Sequence, residues 1–159
     1  MTSIISKPLK ILIAVDLSES SHKALAEVYR IINLNQASLI VLSVEEPVAM
    51  PSTAIAPGLM GEDVTFALQQ EAEMVKLEQK AVQTTLNWAE QICQQADVPY
   101  TLRSEFGDPK QVICDVAKRE GCDMIVVGSE THGFLERLIA GSVSDFVVKH
   151  AQCSVLVVH

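Results

Sequence analysis

Four short and nearly unbroken apolar runs set the limits on this chain: Lys10 to Asp16, Ala37 to Val44, Asp123 to Gly128 and Cys153 to Val158. They are rich in Val, Ile and Leu and lack the polar alternation of a strand with one wet face. Such runs read as strands buried on both sides, the environment inside a parallel sheet covered by helices. Helix-length segments separate them. Ser18 to Ser21 supply N-cap oxygens, Glu19 suits the positive end of a helix, and Ala24, Leu25, Val28, Ile31 and Ile32 recur at spacings of three and four. That helix is expected to end near Asn33–Asn35. Gly107-Asp108-Pro109 starts another, with an N-cap acid and Pro at the first helical position. Its apolar face is Val112, Ile113, Val116 and Ala117, and Gly121 stops it. Gly141-Ser142 opens a last helix running to about His150. Val98 to Glu105 alternates, Tyr100, Leu102 and Ser104 against Thr101, Arg103 and Glu105, which places it at a sheet edge. Strands and helices in alternation predict an α/β domain, with right-handed crossovers putting helices on both faces of a parallel sheet.

Two segments fit this scheme less simply. Residues 47–63 hold Pro47, Pro51, Pro57, Gly58 and Gly61 and read as a long loop (about 46–63), either a tolerated insertion or a lid or partner surface. Val64 to Ala96 contains no Gly or Pro. Val64, Leu68, Val75, Val82, Leu86, Ala89 and Ile92 form a helical stripe broken at Glu71, predicting one long helix or two with a kink. Glu71, Glu73 and Glu78 are expected on a solvated face, and Trp88 in the core or in a helix contact rather than in a ligand site.

The chain has 159 residues, 48% of them apolar, which suits one domain over 1–159 with a core that needs no staple. Twelve Lys/Arg against 20 Asp/Glu give a net charge of −8, with no long basic run, so a nucleic-acid surface is not expected. Residues 101–159 hold 6 basic and 8 acidic side chains, against 6 and 12 before them, so an anion meets less repulsion there. No apolar stretch reaches membrane-spanning length and Met1 to Lys10 lacks a signal-like apolar core, so a soluble, cytoplasmic protein is expected. Cys93, Cys114, Cys122 and Cys153 have no paired spacing and read as buried free thiols.

Ligands of open parallel sheets bind beyond the carboxyl ends of strands, at the point where strand order reverses. Asp16, Ser43–Val44 and Val127–Gly128 are the strand ends in question. The last leads through Ser129, Glu130, Thr131, His132 and Gly133 to Gly141, Ser142, Val143, Ser144 and Asp145. Gly128 and Gly133 permit close approach of backbone amides, and Ser142 with Asp145 resembles a capping box at a helix start able to hold phosphate. Ser142 and Ser144 hydroxyls add donors. Gly128-x4-Gly133 is not a P-loop, because Phe134 and Leu135 stand where Lys and Ser/Thr are required, and no GxGxxG follows the first strand. His132 and Arg137 are candidate phosphate contacts or solvent-facing side chains. His22, His150 and His159 read as structural or exposed.

The chain resembles the universal stress protein family from Ile11 to Val158. The resemblance is carried by Ile11-Leu-Ile-Ala-Val-Asp16-Leu-Ser18-Glu19, by Val127-Gly128-Ser129, and by Leu135-Glu-Arg-Leu-Ile-Ala-Gly141-Ser142-Val143-Ser144 with Val155 to Val158. It implies a Rossmann-like five-stranded parallel sheet in the order 3-2-1-4-5 and a homodimer through the last strand, Ser154 to Val158. It also implies an adenine nucleotide, ATP or AMP (Mg²⁺ accompanying ATP), as ligand of a regulatory protein in a stress response. By the family pattern, backbone at Ala14, Val15, Asp16 and Val44 reads adenine and the Asp16 carboxylate meets ribose. Phosphates lie against Val127, Gly128, Gly141, Ser142 and Val143, with Ser144 beside them. Thr131 occupies the family's middle glycine, a departure that strains the loop if φ is positive there and that Gly133 relieves. Three functions stay open: a nucleotide-binding regulator, a nucleotide-free homodimeric module with an unknown protein partner, and a slow ATPase using Asp16, Glu130 or Asp145.

Overall fold

A computed structural model describes residues 7–31, 36–47, 62–129 and 143–159. Its elements follow the predicted alternation: β1 (Leu9–Ala14), α1 (Glu19–Ile31), β2 (Ala37–Glu45), α2 (Glu62–Gln95), β3 (Tyr100–Phe106), α3 (Pro109–Glu120), β4 (Met124–Gly128), α4 (Val143–His150) and β5 (Ser154–Val158). All five strands join one parallel sheet in the order β3-β2-β1-β4-β5. Leu9 to Ala14 lie opposite Ala37 to Leu42, and Ile11 to Ile13 opposite Met124 to Val126.

The sheet divides the core in two. On one face Ile11, Ile13, Leu39 and Val41 pack against Ala24, Leu25 and Val28 of α1 and Ala89 and Cys93 of α2. On the other, Leu12, Ile40, Leu42, Ile125 and Val127 pack against Ile113, Val116 and Ala117 of α3 and Val147 of α4. Consecutive residues of β1 therefore serve opposite layers, which is why its apolar run has no polar alternation. The predicted edge strand, β3, is an edge strand. Its Arg103 and Glu105 are half-buried rather than solvated, because Arg103 pairs with Glu120 at 2.8 Å and Arg119 with Glu105. Lys10 completes the group, its Nζ donating to the Glu120 carbonyl at 2.8 Å.

The caps behave as their chemistry requires. Asp108 accepts from the Lys110 amide at 3.0 Å, Pro109 opens α3, and Gly121 closes it at φ 62°, a left-handed conformation that a β-carbon disfavours. The 64–96 segment is one helix of 34 residues, which removes the two-helix alternative. It begins at Glu62, just inside the expected loop; the loop's residues 48–61 lie outside the described part, as do 32–35, where α1 was expected to end. Only the later part of its apolar stripe is core. Val82, Leu86 and Ala89 are buried, whereas Leu68 is 57% exposed. The expected solvated face is also corrected: Glu73 is exposed, but Glu71 and Glu78 are half-buried.

Candidate functional site

β1 lies between β2 and β4, and the helices that follow β1 and β4 pack on opposite faces. The chain therefore parts beyond the carboxyl ends of β1 and β4, with the first turns of α1 and α4 on either side. Val15 stays in the ladder, its amide donating to the Leu42 carbonyl at 2.8 Å. Asp16 then leaves the sheet. Its amide donates to Ser21 Oγ at 2.9 Å, and one carboxylate oxygen accepts from the Ser18 amide at 2.9 Å and from the Ser18 hydroxyl. Ser18 caps α1, accepting from the Ser21 amide at 3.2 Å. A closed set of bonds thus fixes an exposed carboxylate at the positive end of a helix. Oδ2 of Asp16 has no partner among the described residues.

Gly128 ends β4 beside this turn. A β-carbon there would stand 2.6 Å from Ser20 Oγ and 2.7 and 2.8 Å from the Ser20 carbonyl atoms. Backbone atoms cannot swing away, so a glycine at 128 is what lets α1 start against the end of β4. This close approach is to protein, and it gives Gly128 a role that does not depend on a phosphate. After it, the Ser129 amide donates to the Val158 carbonyl at 2.8 Å, tying the β4 exit to the end of β5.

The described members of the predicted site gather at this edge. Ala14, Val15 and Asp16 lie at the end of β1, half-buried Val44 near the end of β2, and Val127 and Gly128 at the end of β4; half-buried Val143 begins α4. Ser144, in the first turn of α4, is buried and already engaged; Asp145, which is exposed, is engaged too. Val127 belongs to the α3/α4 core layer, so its side chain is a packing group and only its backbone is at the edge. Glu130, Thr131, His132, Gly133, Arg137, Gly141 and Ser142 lie outside the described residues. Sequence reasoning missed Ser20 and Ser21 as parts of the edge, treating them only as caps. It also missed Leu17 and Phe106, which are 56% and 67% exposed beside it. Serines at the second and third helical positions after an acid were the available signal for the first pair.

Other candidate groups sit elsewhere. Burial pushes the thiols of Cys93, Cys114, Cys122 and Cys153 above their ordinary range, and Lys10 only partly opposes this at Cys122. Cys114 and Cys153 are half-buried rather than buried. His22 stacks on Trp88 with ring centroids 3.9 Å apart, and His150 on Phe146 at the same separation. Among the described residues no three His, Cys, Asp or Glu converge as a metal site, and no helix is long and apolar enough to cross a membrane.

Comparison with known proteins meets the same fold. Residues 9–159 match the model of the universal stress protein family. Universal stress protein Sll1388 of Synechocystis sp. is 30% identical over 149 residues, covering 94% of this chain and 96% of the relative. A universal stress protein solved in complex with cAMP superposes with a TM-score of 0.67 at 23% identity, over 97% of this chain and 99% of that one. A family protein from Arabidopsis thaliana, At3g01520 with AMP bound, gives 0.63 at 21%, over 95% and 91%. With the family's model matched from the first strand to the last residue, the chain belongs to the universal stress protein family.

Proposed function

We propose that the protein is a regulatory binder of an adenine nucleotide, held at the carboxyl edge of β1 and β4. The observation that carries the reading is the pre-set Asp16 at the strand-order reversal, one oxygen bonded to Ser18 and the other without a partner among the described residues. The open oxygen suits a ribose hydroxyl, the backbone of Ala14, Val15 and Val44 suits adenine, and the start of α4 at Val143 suits phosphate. Thr131, Gly133, Gly141, Ser142 and Ser144 complete the phosphate side in this reading, and Mg²⁺ accompanies ATP. The cAMP and AMP complexes of two fold neighbours support an adenine ligand by analogy. Binding rather than turnover is the role: Asp16 is committed to positioning, not to activating water. The protein acts as one domain, in the cytoplasm, and pairs with a second copy through the outer edge of β5.

Titration calorimetry of nucleotide-stripped protein with ATP, AMP and cAMP, with and without Mg²⁺, tests this. A dissociation constant near micromolar, about −8 kcal/mol, is expected. It should weaken in Asp16→Ala and in Gly141→Val. Gly128 is a poor probe, since its substitution disturbs α1 directly. No saturable binding by about millimolar, roughly −4 kcal/mol, overturns the reading. A nucleotide-free interaction module then remains, which the exposed apolar residues of α2 favour.

A further inference from the structure

α2 is far longer than the sheet it covers. At about 1.5 Å per residue, 34 residues span roughly 51 Å. The strands have only five to nine residues, or roughly 17–30 Å at about 3.3 Å each. The helix starts at the carboxyl end of the sheet, and Glu78 marks where it passes that edge, its Oε1 accepting from the Glu46 amide just after β2. Residues N-terminal to Glu78 run on beyond the sheet, and none of the described ones is buried.

The free half keeps the spacing of a helix that packs on another helix. Val64, Leu68, Glu71, Val75, Glu78 and Val82 follow at alternating steps of four and three, the seam of a two-helix contact. From Val82 onward the same line is core against the sheet. Above it, Leu68 is 57% exposed and Met74, beside the seam, 53%. Phe106, on the same sheet face as Tyr100 and Leu102, adds an exposed ring at the foot of the line. Positions flanking the seam carry no charge (Ala67, Ala72, Met74, Gln79), so they set no repulsion against a second helix.

Glu71 decides what fits. It lies in the seam, half-buried, with no cation paired to it among the described residues. Lys76 and Lys80 fall on the far side of the helix, outside the seam and its flanks. A second copy of this helix would add another Glu71 and bring no cation to either carboxylate. Burying unpaired carboxylates is costly. An occupant must carry its own positive charge. We propose that the free half of α2, centred on Leu68, Glu71 and Val75, docks an amphipathic helix of another protein that bears Lys or Arg beside its apolar stripe. Its net charge of −8 favours the same class of partner at longer range.

The test uses the full chain and two dye-labelled synthetic helical peptides of roughly 20 residues. Both carry a Leu stripe; one has Lys and Arg beside it, the other Glu at the same positions. Fluorescence anisotropy should show saturable binding of the cationic peptide and at least about tenfold weaker binding of the anionic one. Glu71→Lys should exchange that preference, and Leu68→Ser should weaken both. Glu73→Lys changes net charge equally but lies opposite the seam, so it should leave the preference intact. Circular dichroism confirms that each variant is folded. Binding of neither peptide, equal binding of both, or equal effects of Glu71→Lys and Glu73→Lys overturn the proposal. So does a dimer in sedimentation that Leu68→Ser dissolves, since the occupant is then a second copy.

Discussion

The two ends of the sheet are finished in opposite ways. At the amino end Lys10 bonds to Glu120 and its amide donates to the Asp123 carboxylate at 2.8 Å, and from Glu120 the ion pairs run through Arg103, Arg119 and Glu105 along the β3 edge, tying it to the end of α3. The charges there are spent on each other. At the carboxyl end, Oδ2 of the exposed Asp16 has no partner among the described residues, and Leu17 and Phe106 stand exposed. One end is cross-linked by its own charges; the other is where the proposed ligand would sit. The contrast follows from topology, since all five strands point the same way and every strand-to-helix exit falls at one end.

The sharpest way to break the carboxyl end is Gly128→Ala. A β-carbon against Ser20 backbone should cost about 3 kcal/mol, read as a lowered denaturation midpoint with unchanged m-value. At the other end, Glu120→Ala leaves Lys10 and Arg103 half-buried without their shared partner. About 1–2 kcal/mol is expected, reduced because these side chains still see water. Ser18→Ala removes the α1 cap and should cost about 1 kcal/mol, and by freeing Asp16 it should also weaken nucleotide binding. Asp16→Asn should change stability by less than about 0.5 kcal/mol, as an exposed polar exchange, while still weakening binding. A mutation that separates affinity from stability at one end only would sharpen the contrast; equal losses in both would erase it.

The pH response is a smaller effect. All four thiols are held neutral by burial, from an ordinary value of 9.0. Tyr29 is raised as well, mainly by burial. Groups with raised folded-state values contribute fully below pH 9, where neither state ionises. Above it the unfolded chain releases protons first, so stability should fall as pH rises. Urea melts between pH 7 and 10 check this, and replacing Cys93 with Ala should flatten the slope.

The sequence makes the strands and the α3 caps legible because their signals are local. An apolar run, an Asp-Pro start and a Gly stop act within a few residues. Two features lie beyond local reading. Gly128 invites a ligand explanation from sequence, yet its missing side chain is accounted for by Ser20, which is distant along the chain and adjacent only after β1 and β4 pair. Periodicity likewise identifies α2 but cannot say where burial ends, because it carries no information on sheet height. The half-buried Glu71 follows from the same cause: the break in the stripe was visible, and its surroundings were not.

The stack of His22 on Trp88 has a practical side. Trp88 is the only indole in the chain, and His22 lies in the first turns of α1, whose amide donates to the Ser18 carbonyl at 3.2 Å. The molecule therefore carries one indole fluorophore, packed against a ring on the helix whose cap bonds to Asp16. A nucleotide bound as proposed above and drawing on that turn should change the tilt or separation of the rings, and with it the quenching by imidazole. Occupancy of the proposed site would then be read as an optical signal from the unmodified protein, with no competing emitter of the same kind.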